Sequence, residues 1–323
     1  MRYRIIVVVL ALAAVARIAA QQGPPGRPAA ASQFVVLGTA SGPNSEATRA
    51  QPANVLIVAG QPYLIDAGDG AVAQMAKAGL RLGGVRAVFL SHLHFDHTGG
   101  MLAVLGLRMQ LEVRGKLRIF GPPGTKTLVD GLLAASAPAM RAGYGIPGQP
   151  WSADIDVVEL HGGETTVVDA FKVTSAVNSH FSRPEGDAST PEGVSLSYRF
   201  DLADRSIVYT GDTGPSPAVV ALSRGADLLV SEMLDADAIL ATMRPPGARA
   251  STQPASGFEW HLHAHHMTPA QVGELAAAAQ VKRLVITHFA PNIASAADEQ
   301  RYRDAIKTRF SGDVTLARDL DRF

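Results

Sequence analysis

From residue 34 onward, short apolar runs alternate with stretches whose apolar positions recur at helical spacing. Runs at 34–37, 55–58, 63–65 and 87–90, bounded by Gly, Pro and Asn, read as strands. Residues 71–78 and 101–107 read as helices, and 117–120 is a further strand closed by Gly121-Pro122-Pro123-Gly124 ahead of a helix across 127–135. The middle of the chain reads as strands at 156–160, 165–168, 171–176 and 194–200, followed by buried strands at 206–210 and 228–230. Pro269 opens a helix to 279, where its missing N–H is not needed, and Thr268 fits the N-cap. A strand at 283–287 and a helix over 296–308 complete the pattern, with no internal repeat at a fixed period. This order predicts one layered α/β domain over residues 33–323. Residues 234–258, with Pro245, Pro246 and Pro254, interrupt the rhythm and predict a surface excursion.

The chain has 323 residues, 47% hydrophobic and 18% charged, which leaves ample material for a buried core. Its beginning has a different character. Arg2 and Arg4 precede an apolar stretch over 5–16, with small residues to Ala20, the layout of a signal peptide over residues 1–20. Cleavage after 18–20 or 29–31 fits the small residues there; an uncleaved anchor is the other reading, although the run is shorter than a comfortable membrane span. Residues 21–32, rich in Gly, Pro, Gln and Ala, read as a flexible linker. Removing Arg2, Arg4 and Arg17 leaves 26 basic against 29 acidic side chains, so the mature chain lacks the basic footprint that nucleic acid requires. The expected location is periplasmic or secreted, with no membrane span after processing.

One segment concentrates the candidate chemistry: Ser91-His92-Leu93-His94-Phe95-Asp96-His97-Thr98-Gly99-Gly100, directly after the apolar run at 87–90. In extended backbone His92 and His94 point the same way. Asp96 and His97 open the next helix, and Gly99 and Gly100 permit a tight approach. Four ligand-type side chains converge from six residues, which suits a metal ion. The chain has no cysteine, so disulfides, thiolate-bound zinc, iron–sulfur clusters and cysteine nucleophiles are excluded, and any metal is held by nitrogen and oxygen.

This segment resembles the signature of the metallo-β-lactamase superfamily, and the resemblance covers nearly all of residues 34–323. It implies a four-layer αββα sandwich. Asp66, in Leu64-Ile65-Asp66-Ala67-Gly68, resembles a buried aspartate that braces the histidine loop rather than binding metal. His180, after the run at 173–177, resembles the family's third histidine. Asp212, in Tyr209-Thr210-Gly211-Asp212-Thr213, resembles its bridging aspartate, and His288, in Ile286-Thr287-His288-Phe289, its last ligand. The resemblance implies one metal on His92, His94, His180 and Asp212, and a second on Asp96, His97, His288 and the shared Asp212. Two Zn2+ ions suit such donors, and Mn2+ or iron is also compatible. Metal ions lower the pKa of bound water from roughly 15.7 to about 7, so a hydroxide shared between them becomes the nucleophile, with Asp96 orienting it or accepting its proton.

Asp212 stands where the thiol-ligand β-lactamases carry cysteine, and a bridging aspartate is typical of the phosphodiesterase, glyoxalase II and ribonuclease Z-like branches. His266-Met267-Thr268-Pro269-Ala270-Gln271 resembles the ribonuclease Z-like pattern, in which a histidine ahead of a capped helix protonates the leaving group; Met267 replaces that branch's serine. The opening Leu37-Gly38-Thr39-Ala40-Ser41-Gly42-Pro43 and Arg49 also resemble that branch. His266 is therefore the candidate general acid. Two other readings stay open: His263 or His265 faces the metals instead, or His261, His263, His265 and His266 form a solvated cluster. Transfer-RNA processing in the family relies on a protruding basic arm. Residues 101–179 balance seven basic against seven acidic side chains, and 138–150 carries Arg141 as its only charge. The expected activity is metal-dependent hydrolysis of small anionic esters, phosphodiester or aryl sulfate, with no nucleic-acid partner; the resemblance suggests a homodimer. Hydrolysis of a β-lactam or lactone on the same site is the first alternative, and a metal-binding protein without catalysis the second.

Overall fold

The computed structural model describes residues 31–184, 187, 189, 193–243, 257–293 and 295–323. The expected leader, the first ten residues of the linker and the centre of the excursion expected at 234–258 lie outside the described residues.

Two mixed sheets carry the fold. The first joins β1 (Gln33–Gly38), β2 (Ala53–Val58), β3 (Gln61–Ala67), β4 (Ala87–Phe89), β5 (Leu117–Gly121) and β6 (Ile155–Glu159) in that order, antiparallel to β3 and parallel from there on. The second runs β13 (Asp313–Leu316), β12 (Arg283–Ala290), β11 (Leu228–Leu234), β10 (Ser206–Tyr209), β9 (Leu196–Asp201), β8 (Phe171–Val177) and β7 (Thr165–Val168), parallel to β10 and antiparallel beyond. Parallel neighbours need crossover connections, which place helices on the outer faces. On the first sheet these are α1 (Ala71–Lys77), α3 (Met101–Gln110) and α4 (Thr125–Ala142), whose Met75, Leu105 and Val129 are buried against it. On the second they are α5 (Pro217–Ser223), α8 (Pro269–Ala278) and α9 (Ala296–Lys307), with Val219, Leu275 and Ile306 turned inward. The short α2 (Phe95–Thr98), α6 (Ala236–Met243) and α7 (Gly257–Ala264) lie in the connections.

The inner faces close on each other through aromatic side chains. Phe34, Tyr63, Phe89 and Phe120 of the first sheet meet Phe171, Tyr198, Phe200 and Tyr209 of the second. Phe89 stacks on Phe120 at 4.9 Å and meets Phe200 edge-on at 5.3 Å, favourable arrangements for rings that also bury large apolar areas. The result is the four-layer αββα sandwich that the resemblance implies. All seven residues of β11 are buried, as expected of a parallel strand covered on both faces.

Several elements exceed or escape the sequence reading. Helix α4 continues through Pro138 to Ala142, where the carbonyl left without a donor belongs to the exposed Ala134 and can meet water. β13 is four residues long with alternating exposure, too short to announce itself. The final residues then return to β1: Phe34 and Phe323 exchange both backbone hydrogen bonds at 2.9 Å, and Leu320 N–H donates to Val36 at 2.7 Å. The tail thereby covers the free edge of the first sheet.

Asp319 locks this closure. Its carboxylate accepts from Thr39 N–H (3.0 Å), Thr39 Oγ1 (2.6 Å), Ala50 N–H (2.7 Å) and Gln74 Nε2 (2.9 Å). Arg49 continues the network, donating to Thr39 Oγ1 at 2.6 Å while lying over the Phe289 ring at 5.0 Å. Hydrogen bonds to a charged acceptor contribute more than neutral ones, and their loss strands the donors. Asp319→Ala is expected to lower the unfolding free energy by about 2–4 kcal/mol in a urea titration, and Asp319→Asn by less because one acceptor oxygen survives.

Candidate metal centre

The carboxyl ends of parallel strands β3, β4, β10, β11 and β12 gather on one edge, where an open α/β sheet presents its loops. Two β-bulges re-aim side chains there. Ala53 faces Ala67 while Asn54 faces Ile65, so Asp66 is the extra residue on β3 and adopts φ 55°. On β12, Ser231 faces Ile286 and Met233 faces Phe289, which leaves an extra residue at Thr287–His288, with His288 at φ 52°. Left-handed backbone at a residue with a side chain costs about 1–3 kcal/mol, so each bulge is held by its surroundings.

Asp66 is fully buried and accepts four hydrogen bonds: Ser91 N–H (2.7 Å), Ser91 Oγ (2.8 Å), His97 Nδ1 (2.8 Å) and Tyr209 Oη (2.7 Å). It braces the histidine loop as the resemblance implies. Tyr198 adds a second anchor, its hydroxyl donating to the Leu90 carbonyl at 2.7 Å.

These contacts assign the imidazole tautomers. His97 Nδ1 donates to Asp66, and His180 Nδ1 donates to the His265 carbonyl at 3.1 Å. Ser91 Oγ gives its hydrogen to Asp66, so His92 Nδ1, 3.1 Å away, is the donor of that pair. In each neutral ring Nε2 is then a bare lone pair turned inward. His92 Nε2 and His180 Nε2 approach His94 Nδ1 to 3.0 and 3.2 Å. Asp212 Oδ2 lies 3.1 Å from His288 Nε2, 3.3 Å from His97 Nε2 and 3.9 Å from His92 Nε2. Asp96 Oδ2 is 3.5 Å from both His97 Nε2 and His288 Nε2.

The structure thus brings all seven candidate ligands together. His92, His94 and His180 form one set of converging donors; Asp96, His97, Asp212 and His288 form another. His97 Nε2, both ring nitrogens of His288 and Asp212 Oδ1 are buried without a hydrogen-bond partner. Orphaned donor atoms facing one another, with His92, His97 and His180 each braced from behind by an acceptor, are what metal-binding imidazoles require. The nitrogen and oxygen donors fit two divalent cations.

Electrostatics agree. Burial holds His92 and His180 below the ordinary imidazole value. Burial opposes charge on His97 and His288 as well, but the Asp212 and Asp96 carboxylates outweigh it, raising His97 and carrying His288 up to about 10. Asp96 and Asp212 are in turn held well below the usual carboxylate range, because the neighbouring imidazoles outweigh their burial. The centre demands positive charge. Asp96 is a weak base in this setting, better placed to hold an oriented contact than to retain a proton. Gly42 N–H donates to it at 3.0 Å, and a Cβ on Gly42 would stand 2.4 Å from the Asp96 carboxylate, so that position admits only glycine.

His266 is buried beside the centre, with Nδ1 3.0 Å from Glu232 Oε2. Burial pulls His266 down, but the Glu232 carboxylate outweighs it and leaves the imidazole raised. The helix behind it starts with the expected cap: Gln271 N–H donates to Thr268 Oγ1, and Thr268 N–H donates to Gln271 Oε1 at 2.9 Å. Of its neighbours, His263 faces outward toward Asp237 (3.8 Å), and His265 is buried with Nε2 on the Ser182 carbonyl (2.8 Å). Among the described residues, neither belongs to a set of converging donors, and the cluster as a whole is not solvated.

Glu232 escaped the sequence reading, which ended this strand at 230. A single acid inside the apolar run Leu228–Leu234 was the available signal, because a buried charge needs a partner. Phe181 was also missed; its ring lies 5.1 Å from His94 and 4.8 Å from His180 and shields both from water.

Comparison with known proteins accords with this geometry. The Beta-lactamase superfamily domain profile matches residues 62–289. The chain belongs to the metallo-β-lactamase superfamily and is a metal-dependent hydrolase of its ribonuclease Z-like kind. It is 30% identical over 295 residues to a protein named Ribonuclease Z from Mycobacterium sp. (strain KMS), covering 90% of this chain and 95% of that one. Among solved structures, the metallo-beta-lactamase fold protein YhfI from Bacillus subtilis superposes with a TM-score of 0.66 at 19% identity, covering 90% of this chain and 98% of that one. The short form of human tRNase Z gives 0.61 at 23%, again with 90% and 98% covered.

Among the described residues, Asp212 is the one carboxylate that contacts the histidines of both sets. By elemental analysis after zinc loading, Asp212→Ala is expected to retain less than one equivalent of metal, while His288→Ala keeps about one of two, since it removes a donor from one set only.

Proposed function

We propose that the chain hydrolyses small anionic esters, phosphodiesters or aryl sulfates, on a dinuclear zinc centre, with His266 as the acid that protonates the leaving oxygen. The observation that carries this reading is the Glu232–His266 pair. Glu232 holds the Nδ1 proton at 3.0 Å, so Nε2 is the atom left to serve substrate. His266, His180 and Asp212 each place a donor atom within 4.8 Å of the other two. A proton carried on Nε2 therefore sits at the edge of the centre.

His92, His94, His180 and Asp212 would hold one ion, and Asp96, His97, His288 and Asp212 the other. When bound, the ions supply Lewis acidity that makes water a nucleophile near neutral pH. The chain's own groups do the rest. Asp66 keeps His97 and Ser91 in place, Phe181 excludes water from one flank, Asp96 orients through the Gly42 N–H, and His266 delivers a proton while Glu232 stabilises its charged form.

Small substrates are favoured over the transfer RNA that the relatives' names indicate. Residues 143–154, joining α4 to β6, carry Asp154 as their only charge and supply no basic arm. The basic start of residues 1–20 supports export to the periplasm or medium, and the resemblance supports a homodimer. Attack on a β-lactam or lactone carbonyl is the competing use of the same centre.

Turnover of bis-nitrophenyl phosphate and nitrophenyl sulfate exceeding that of nitrocefin is the expected result with zinc-loaded protein; the reverse order favours the competing reading. His266→Ala is expected to keep both metals and lose about 10²–10⁴ in kcat. The loss is expected to be greater for an alkyl than for a nitrophenyl leaving group, because only the former needs a proton in order to depart. Equal losses for both would remove His266 from the acid role.

A further inference from the structure

Two histidines next to the centre have no part in the mechanism above, yet they are ordered as a chain. His265 Nε2 is 2.8 Å from the Ser182 carbonyl, and a carbonyl only accepts, so this nitrogen carries the hydrogen. His265 Nδ1 is then a lone pair in the neutral ring. His261 Nδ1 stands 2.8 Å from it and must be the donor of that bond. The hydrogen on Nδ1 leaves His261 Nε2 bare. Acceptor and donor roles therefore propagate from Ser182 through two rings and end on an unprotonated nitrogen.

The position of that ring is fixed relative to the metal ligands. His265 both donates to Ser182 and, through its carbonyl, accepts from His180 Nδ1, so the turn after α7 and the loop after β8 are tied twice. Trp260 packs edge-on to His265 at 4.5 Å and stiffens the pair. The His261 ring lies 5.2 Å from His266 and 5.5 Å from His180, nearly perpendicular to the first. It is half-buried, hence reachable from solvent. Among the described residues, the donor sets close enough to share an ion include His180 and His266 but not His261, so it stands one step outside the centre.

We propose that His261 is a substrate-positioning residue that accepts a hydrogen bond at Nε2, and that the preferred ester carries a hydroxyl on its alcohol portion to donate it. This rests on the hydrolase reading above and deepens it. A bare imidazole nitrogen welcomes an O–H and repels the anionic ester oxygens, so the two ends of such a substrate are sorted: charged oxygens toward the cations, hydroxyl toward His261. The His265 contact selects this acceptor form, and His265 is accordingly a positioning residue acting through His261.

The test uses zinc-loaded full-length protein and a matched pair, p-nitrophenyl 3-hydroxypropyl phosphate and p-nitrophenyl propyl phosphate. Wild type is expected to favour the hydroxylated diester by about tenfold in kcat/KM, the worth of one hydrogen bond, expressed mainly in KM. In His261→Phe the ratio is expected to fall to about one, and His261→Gln, whose amide oxygen can accept, to recover part of it. No preference in wild type, or a preference untouched in His261→Phe, overturns the proposal. A second measurement needs neither turnover nor a variant. Nitrogen-15 spectra of histidine-labelled protein at neutral pH should show His261 Nε2 without a bound hydrogen, and a protonated Nε2 overturns the assignment. If wild type hydrolyses neither diester, the phosphodiester reading fails by itself. His261 is then still judged by whether 3-hydroxypropyl methylphosphonate binds more tightly than propyl methylphosphonate in the same spectra.

Discussion

Lone pairs that face one another dominate this molecule. At one edge of the sandwich, Nε2 of His92, Nδ1 of His94 and Nε2 of His180 approach within about 3 Å, and the carboxylates of buried Asp212 and partly buried Asp96 crowd His97 and His288. A hydrogen on neutral His94 Nδ1 can serve only one of its two neighbours at a time. Without a cation the centre can be relieved only by protons, which is why His288 holds on to one so strongly. Much of the surrounding structure serves to keep these groups from turning away. Each of His92, His97 and His180 is gripped at its far nitrogen by a hydroxyl, a carboxylate or a carbonyl.

The grip comes from both sheets at once. Asp66 belongs to the first, but one of its four donors is Tyr209, at the end of a strand in the second. Tyr198, also in the second, holds the carbonyl directly before the Ser91-His92 step. The histidine loop is therefore referenced to two rigid layers, and a shift of either would disturb ligands on both. The bulges at Asp66 and His288 belong to the same logic. A strand in regular register alternates its side chains between the faces, and an inserted residue turns one of them toward the edge instead. The strain is local; the packing of Phe89, Phe120 and Phe200 that resists relaxation extends across the core.

Much of this was legible in the chain itself. The strand at 87–90 followed by His92, His94, Asp96 and His97 pointed to a centre, and the family resemblance, together with strand-end position, named His180, Asp212 and His288, which the structure gathers beside them. Periodicity found most strands because their burial is one- or two-sided and regular. What escaped has physical causes. α5, α6 and α7 are too short for an amphipathic stripe to repeat, and β13 has only Val314 and Leu316 turned inward. Glu232 was hidden because a buried acid inside an apolar strand becomes meaningful only when its partner, His266, arrives from 34 residues away. The direction of the four histidines at 261–266 was equally out of reach: the helix over Gly257–Ala264 turns His263 outward while His261 remains beside His180.

On the proposed reading, the contrast between His180 and His266 is that of one residue type given two tasks. Both are buried, their rings lie 5.0 Å apart, and each has its Nδ1 hydrogen bonded away from the centre. The difference lies in the acceptor. A backbone carbonyl is neutral, so His180 is governed by burial, stays unprotonated and offers a lone pair. A carboxylate brings a full charge, so His266 is driven the other way and offers a proton. Exchanging those acceptors would exchange the roles. The proposed catalytic assignment thus depends less on which histidines surround the centre than on the charge of the atom standing behind each ring.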